Sequence, residues 1–347
     1  MLPALGNAGR RIVATVTADN PTLDSYAALG PDAILDAVES LGYLCNGQFL
    51  ALNSYENRVY QVGIEDEEPL IAKFYRPARW SNEAIIEEHQ FTQALSDLEI
   101  PVIAPMADNS GTTLHTHNGY RFTLSLRRGG RAPELDDPDH LEQMGRFIAR
   151  IHNMGAAQPF KHRPTLNIET FGVDSRHYLL EQGFVPDGLR DAYRSLTEDL
   201  IERIRSCYAA AGDVQIIRLH GDMHPGNVLW RDNGPHIVDF DDARMGPAIQ
   251  DLWMFLSGDR QYMTARLADI LCGYTEFRDF DPKELHLLEA LRTLRMMHYA
   301  AWIARRWEDP AFPQAFPWFN SGRYWDEHIL ALREQAALMD EAPLVWD

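Results

Sequence analysis

Asp222 and Asn227 stand five positions apart in "HGDMHPGNVLW", with Pro225 and Gly226 between them, and Asp239 follows twelve positions later in "HIVDFDDAR". Pro and Gly inside the first spacing suit a loop better than a helix. The runs "NVLW" and "HIVDF" are short strand candidates, so a strand–loop–strand unit could carry all three oxygen-bearing side chains to one end of a small sheet. Phosphoryl transfer from ATP needs such a set. One carboxylate orients and deprotonates the attacking hydroxyl, while an amide and a second carboxylate hold Mg²⁺ against the phosphates. Hard oxygen ligands suit Mg²⁺, with water and phosphate filling its remaining positions. Taken singly, an Asp or Asn in a turn is more often a cap or an Asx-turn; the ordered set points to a site.

Elements that could position these groups lie on both sides of a joint near residue 128. "PDAILDAVESLGY" has helical spacing after Pro31 and Asp32. "FLALNSYENRVYQVGIED" and "PLIAKFYRP" predict a hairpin and a third strand, and "SNEAIIEEHQFTQALSDL" a helix capped by Ser81 or Asn82. "YRFTLSLRR" predicts a strand leading out of this small lobe, and "GGRAPELDDPD" a turn-rich joint. Beyond it, "HLEQMGRFIARIHNMG" opens a region that is helical apart from the two short strand candidates. The domain reading is a tail over 1–30, a sheet-rich N-lobe over 31–128, a mostly helical C-lobe over 129–335 and a second tail over 336–347.

At 347 residues the chain is long enough for two lobes with a core in each. Acidic residues outnumber basic ones by 51 to 32, a formal charge of −19, which argues against wholesale binding to nucleic acid or an anionic membrane face. Cationic substrates and basic protein segments stay open as partners. Cys45, Cys207 and Cys272 are widely spaced and odd in number, so neither a disulfide framework nor a metal site follows from them. No signal pattern opens the sequence and no apolar run reaches membrane-spanning length. The expectation is a soluble, cytoplasmic monomer.

"HGDMHPGNVLW", "IVDFDDAR" and "DDARMGPAIQDLW", in that order, resemble the catalytic and metal-binding segments of the aminoglycoside phosphotransferase and choline kinase group. "LNSYENRVYQ", "AKFYRP" and "EEHQF" look more closely like its bacterial stress-response kinase A subgroup, which phosphorylates protein Ser and Thr. The resemblance covers roughly residues 30 to 330. It implies an α+β, bilobal protein-kinase-like fold of the aminoglycoside phosphotransferase type, with ATP as co-substrate and Mg²⁺ as cofactor. By this likeness Asp222 matches the catalytic aspartate, Asn227 the Mg²⁺-binding asparagine, and Asp239 the metal aspartate that also belongs to the catalytic set. Asp241 stands where protein kinases carry glycine, which speaks against an ordinary activation-loop switch. His220 would brace the loop, Asp251 would accept backbone N–H bonds from it, and His224 reads as a structural or surface histidine.

In the small lobe, Lys73 would reach from a buried strand toward the ATP phosphates. Glu88 best matches its acidic partner, with Glu87 as the alternative. The loop "NSYENRV" replaces a glycine-rich loop; Ser54 and the N–H groups of residues 54–57 would meet phosphate. Adenine would sit at the joint, against backbone groups of residues 122–125, Phe122 and Leu124 among them. Three acceptor readings remain: a Ser/Thr protein kinase in a bacterial stress response that could also phosphorylate itself, a small-molecule kinase for an aminoglycoside, choline-like amine or amino alcohol, and a pseudoenzyme scaffold. Trp302, Trp307, Trp318 and Trp325 would serve a cationic acceptor through cation–π contact, or lobe packing. The intact set of Asp222, Asn227, Asp239 and Lys73 argues against the scaffold.

Overall fold

The structure, a computed structural model, describes residues 26–231 and 234–346; the first 25 residues of the expected tail lie outside it. Strand-forming residues around the "NSYEN" turn build a hairpin of β1 (Cys45–Ala51) and β2 (Arg58–Ile64), and β3 (Leu70–Phe74) adds to its far side. β4 (His115–His117) and β5 (Tyr120–Leu126) complete an antiparallel sheet in the order β1-β2-β3-β5-β4. One face of it packs on α1 (Pro31–Glu39), whose Ile34 and Val38 meet Val62, Phe74 and Leu124. Residues 26–30 join this lobe rather than a tail. The Tyr26 hydroxyl donates to the Phe74 carbonyl at 3.0 Å, and its ring stacks on Tyr120.

The helix α2 (Asn82–Asp97) begins at Ser81, whose Oγ accepts from the Ala84 N–H. Its inner face does not join the small-lobe core. Phe91 and Leu95 pack with Met144, Ile148 and Phe240 of the large lobe, so α2 belongs to both halves. The large lobe is built from α3 (Pro138–Ala156), α4 (Asp174–Glu181), α5 (Asp187–Ala211), α6 (Arg260–Tyr274), α7 (Leu288–Arg305), α8 (Ala311–Ala315) and α9 (Gly322–Met339). The chain expected to be a tail from 336 is still α9 up to Met339, and beyond it Leu344 is buried and Trp346 packs on the same core as α3 and α6.

Two small ribbons sit where the lobes meet. β6 (Ile217–Leu219) pairs with β9 (Arg244–Gly246), and β7 (Val228–Arg231) pairs with β8 (Gly234–Ile237). The second ribbon matches the two expected strand candidates. The first escapes a periodicity argument, because all three residues of each strand are buried and no alternation marks a strand covered on both faces.

Candidate active site

Pairing of Val228 with Ile237 sets the ends of β7 and β8 side by side. Asn227 precedes one strand and Asp239 follows the other, and the Val238 N–H donates to the Asn227 carbonyl at 3.0 Å. Asp239 lies past the strand end, in a left-handed conformation with φ 62°, which a short acidic side chain tolerates better than most. Its side chain is 52% exposed, the openness a ligand-binding carboxylate needs. Asn227 Nδ2 donates to the Asp222 carbonyl at 3.0 Å, so its amide oxygen is the atom left for a ligand. Among the described residues no three His, Cys, Asp or Glu side chains form a metal-holding group. A divalent ion here would have Asn227 and Asp239 as protein ligands, with phosphate and water completing the shell, a donor set that fits Mg²⁺.

The loop carrying Asp222 is held from beneath. Asp251, wholly buried, accepts the His220 and Gly221 N–H groups, each at 2.8 Å. His152, buried behind it, places Nε2 at 3.3 Å from the same carboxylate and Nδ1 at 2.9 Å from the Tyr274 hydroxyl. The His220 ring bonds the Val238 carbonyl at 2.8 Å and packs on Phe240. One histidine therefore joins the Asp222 loop to the strand end that presents Asp239. Gly221 has φ +85°, and a Cβ there would run into the Asp242 carbonyl, so glycine is required. His224 accepts from the Gly226 N–H at 3.0 Å, and burial lowers its pKa; its place is in the turn.

Lys73 faces this end of the ribbon. Its Nζ lies 3.7 Å from Glu88, 3.2 Å from Asp239 and 3.3 Å from Asp241. Burial pushes the lysine's pKa down, but the Asp241, Glu88 and Asp239 carboxylates overcome that and raise it well above the usual value. Lys73 is thus a fixed cation at the mouth of the cleft. Between the two sequence candidates the geometry selects Glu88. Glu87 instead accepts the Lys161 and His162 N–H groups at 2.6 and 2.9 Å, fastening α2 to the large lobe. Asp241 is buried against Arg79 and Lys73. Burial pushes its carboxyl up, yet the two cations prevail and hold it at about 2.

Other expectations need correction. Phe122 and Leu124 are buried inside the sheet. Phe122 pairs with both Phe74 and His115, Leu124 pairs with Ala72, and its carbonyl accepts from Met106. They face the small-lobe core and leave no free carbonyl for adenine; strand-free, exposed backbone begins at residue 127. Ser54 does not join the Lys73 cluster. It lines an open cavity of about 390 Å³ with Tyr55, Arg58, Tyr60 and Gln314. None of residues 52–57 is left-handed, and the loop's most committed side chain is Glu56. That carboxylate accepts from Trp302 Nε1 at 2.6 Å and meets Arg306 at 2.7 Å and Arg76 at 2.9 Å.

Trp325 is fully buried, as packing required. Trp302, by contrast, carries Arg306 over its ring at 5.2 Å, so its cation-binding face is already taken by the protein. Sequence reasoning missed Arg79, Arg163, Arg244 and Arg295. Arg163 bonds Glu88 at 2.8 Å and three backbone carbonyls; Arg244 pairs with Asp242; Arg295 donates to Asp222. Arg79, Arg163 and Arg295 meet partners far along the chain that local spacing does not announce, whereas the partner of Arg244 is only two residues away.

Fold and site together define a two-lobed phosphotransferase of kinase-like architecture. The chain belongs to the phosphotransferase enzyme family, matched over residues 49–288. It is 43% identical to stress response kinase A of Escherichia coli (strain K12) over 325 residues, 94% of this chain and 98% of that protein. It is 42% identical, with the same coverage, to serine/threonine protein kinase RdoA of Salmonella typhimurium. Solved structures share the fold at low identity. An amicoumacin kinase bound to AMP-PNP and Ca²⁺ has a TM-score of 0.68 at 19% identity, covering 93% of this chain and 96% of its own. A microcompartment-associated aminopropanol kinase has a TM-score of 0.69 at 17% identity, covering 88% and 95%.

Proposed function

We propose that this protein is an ATP- and Mg²⁺-dependent serine/threonine protein kinase of the bacterial stress response, acting in the cytoplasm and able to phosphorylate itself. The observation that carries this reading is the likeness, at 42% identity over 98% of its length, to a relative named as a serine/threonine protein kinase. The small-molecule kinases that share the fold stand below 20%. Charge pairing in the cleft also supports it. Asp222 is paired with Arg295, Asp242 with Arg79 and Arg244, Glu56 with Arg76 and Arg306, and Asp309 with Arg58 and Arg76. An aminoglycoside or amino alcohol would find these carboxylates already neutralised.

In this mechanism Lys73, set by Glu88, holds the α- and β-phosphates, and the adenine edge meets the exposed backbone from residue 127 onward. Bound Mg²⁺ would neutralise the phosphate charge between Asn227 and Asp239. Asp222 orients the acceptor hydroxyl, whose oxygen attacks the γ-phosphorus as the bond to the ADP oxygen breaks. The hydroxyl proton passes late to the Asp222 carboxylate, because the transition state is loose. Alignment by the Asp251-braced loop then supplies much of the acceleration. Transfer from radiolabelled ATP to a panel of proteins, beside a panel of amines and amino sugars, tests the acceptor class; activity on amines alone overturns it. Asp222→Asn should keep Mg²⁺·ATP affinity while lowering kcat by roughly 10²- to 10⁴-fold. Lost nucleotide affinity in the folded variant would move Asp222 into the metal shell.

A further inference from the structure

Arg295 stands on α7 at the acceptor side of the cleft, where neither phosphate binding nor metal binding calls for a cation. Its Nη1 donates to Asp222 Oδ1, the one ion pair this guanidinium makes among the described residues. The side chain is 40% exposed. A guanidinium has five N–H donors in a planar fork, and one of them is engaged here. The remaining donors are available to whatever approaches Asp222.

The neighbourhood determines what that can be. His224 Nε2 is 3.6 Å from the other Asp222 oxygen, and burial lowers the pKa of this histidine. Tyr299, one turn further along α7, is 41% exposed and stacks on Trp302, giving a flat apolar surface beside the arginine. The next carboxylates, Asp242 and Glu56, are held by Arg79, Arg244, Arg76 and Arg306. An ammonium group brought to Asp222 would meet a guanidinium already in place. An anionic group would meet that guanidinium with most of its donors unspent.

We infer that Arg295 selects the acceptor: one N–H holds Asp222, and the others bind a carboxylate one or two residues from the reactive serine or threonine. The inference rests on the protein-kinase reading. The short spacing follows from the direct Arg295–Asp222 contact, since a chain in extended form advances about 3.3 Å per residue and returns to the same face every second one. Arginine suits the task because its fork can serve two carboxylates at once, which an ammonium point charge does less well.

The test uses peptides with a single serine, identical except for Glu, Gln or Lys at each of the two positions on either side. Wild-type protein should show kcat/KM about 10- to 100-fold higher for the best Glu peptide than for its Gln counterpart, the range of one charge-assisted hydrogen bond. In Arg295→Gln that ratio should fall to within about two-fold, and Arg295→Glu should favour the Lys peptide. Arg295→Lys should retain part of the preference, and Mg²⁺·ATP binding by calorimetry should report that each variant is folded. If Arg295→Gln lowers kcat on all peptides alike and leaves the ratio unchanged, Arg295 merely positions Asp222 and the inference is wrong. A wild type that phosphorylates peptides without any acidic preference overturns the inference and leaves the kinase reading standing. Transfer to amines but to no peptide or protein overturns both.

Discussion

Asp251→Asn keeps the size of a wholly buried side chain and removes its charge, so it isolates what the carboxylate does for the catalytic loop. The wild-type oxygens accept the His220 and Gly221 N–H groups at 2.8 Å each. Hydrogen bonds to a charged acceptor contribute about 1.5–3 kcal/mol. Asparagine has one acceptor oxygen, so one amide keeps a neutral bond and the other confronts an NH₂ group. The weakened bond and the unsatisfied buried donor together should lower stability by about 2–4 kcal/mol. That is a large share of the roughly 5–15 kcal/mol of an ordinary domain, yet short of unfolding it. The loss should also reach the chemistry. His220 links this loop to the Val238 carbonyl beside Asp239, and a displacement near 1 Å can reduce rate by about 10²-fold. Urea unfolding, nucleotide calorimetry and steady-state transfer should therefore show lower stability, weaker Mg²⁺·ATP binding and kcat down about 10- to 100-fold. A variant with wild-type unfolding and turnover within two-fold would refute the claim that Asp251 holds the loop.

Glu88→Gln should reduce kcat/KM for ATP at least about ten-fold by loosening Lys73, whereas Glu87→Gln, which removes the charge bonded to the 161–162 backbone, should change it by less than about three-fold; equal effects would undo the choice between them. Glu284 is buried and its pKa is pushed up to about 7 by burial, against the Ile249 N–H bond that lowers it. Its protonated form is favoured in the folded state, so this stabilisation is full below about 4.5 and is lost as pH rises through about 7. Relative to Glu284→Gln, wild type should lose up to about 3 kcal/mol between pH 5 and 8 in urea titrations, and parallel pH profiles would contradict this. Gly221→Ala should abolish transfer and lower the melting temperature, because its left-handed backbone and the Asp242 carbonyl leave no room for Cβ; a fully active, unaltered melt would show that the loop can shift.

The grouping of Asp222, Asn227 and Asp239 was legible because their spacings are short and the β7–β8 pairing depends on contacts only a few residues apart. Glu88 was favoured by the family likeness with Glu87 as the alternative, and separating the two took the 161–162 segment, which α2 reaches only in the folded molecule. The backbone of residues 122–125 was read as open for a related reason. β5 alone looks like a strand at the edge of a cleft, yet the three-residue β4 covers it up to Phe122 and the 105–106 segment takes it beyond, and neither piece carries enough pattern to be seen in advance. The arginines were hidden most completely. Lys73, Arg79 and Arg163 reach the carboxylates of 239–242 and Glu88 from segments far away in sequence. A motif records the acids that do chemistry, whereas their countercharges can come from any element that folding brings near. Here that supply also fixes the state of the site. Arg163 bonds Ala84 and Glu88 of α2 along with the Asp241 and Ala243 carbonyls, so the helix carrying Glu88 is bound to the segment carrying Asp239. The Lys73–Glu88 pair is therefore assembled in this structure, beside a buried Asp241 that is paired with both Arg79 and Lys73.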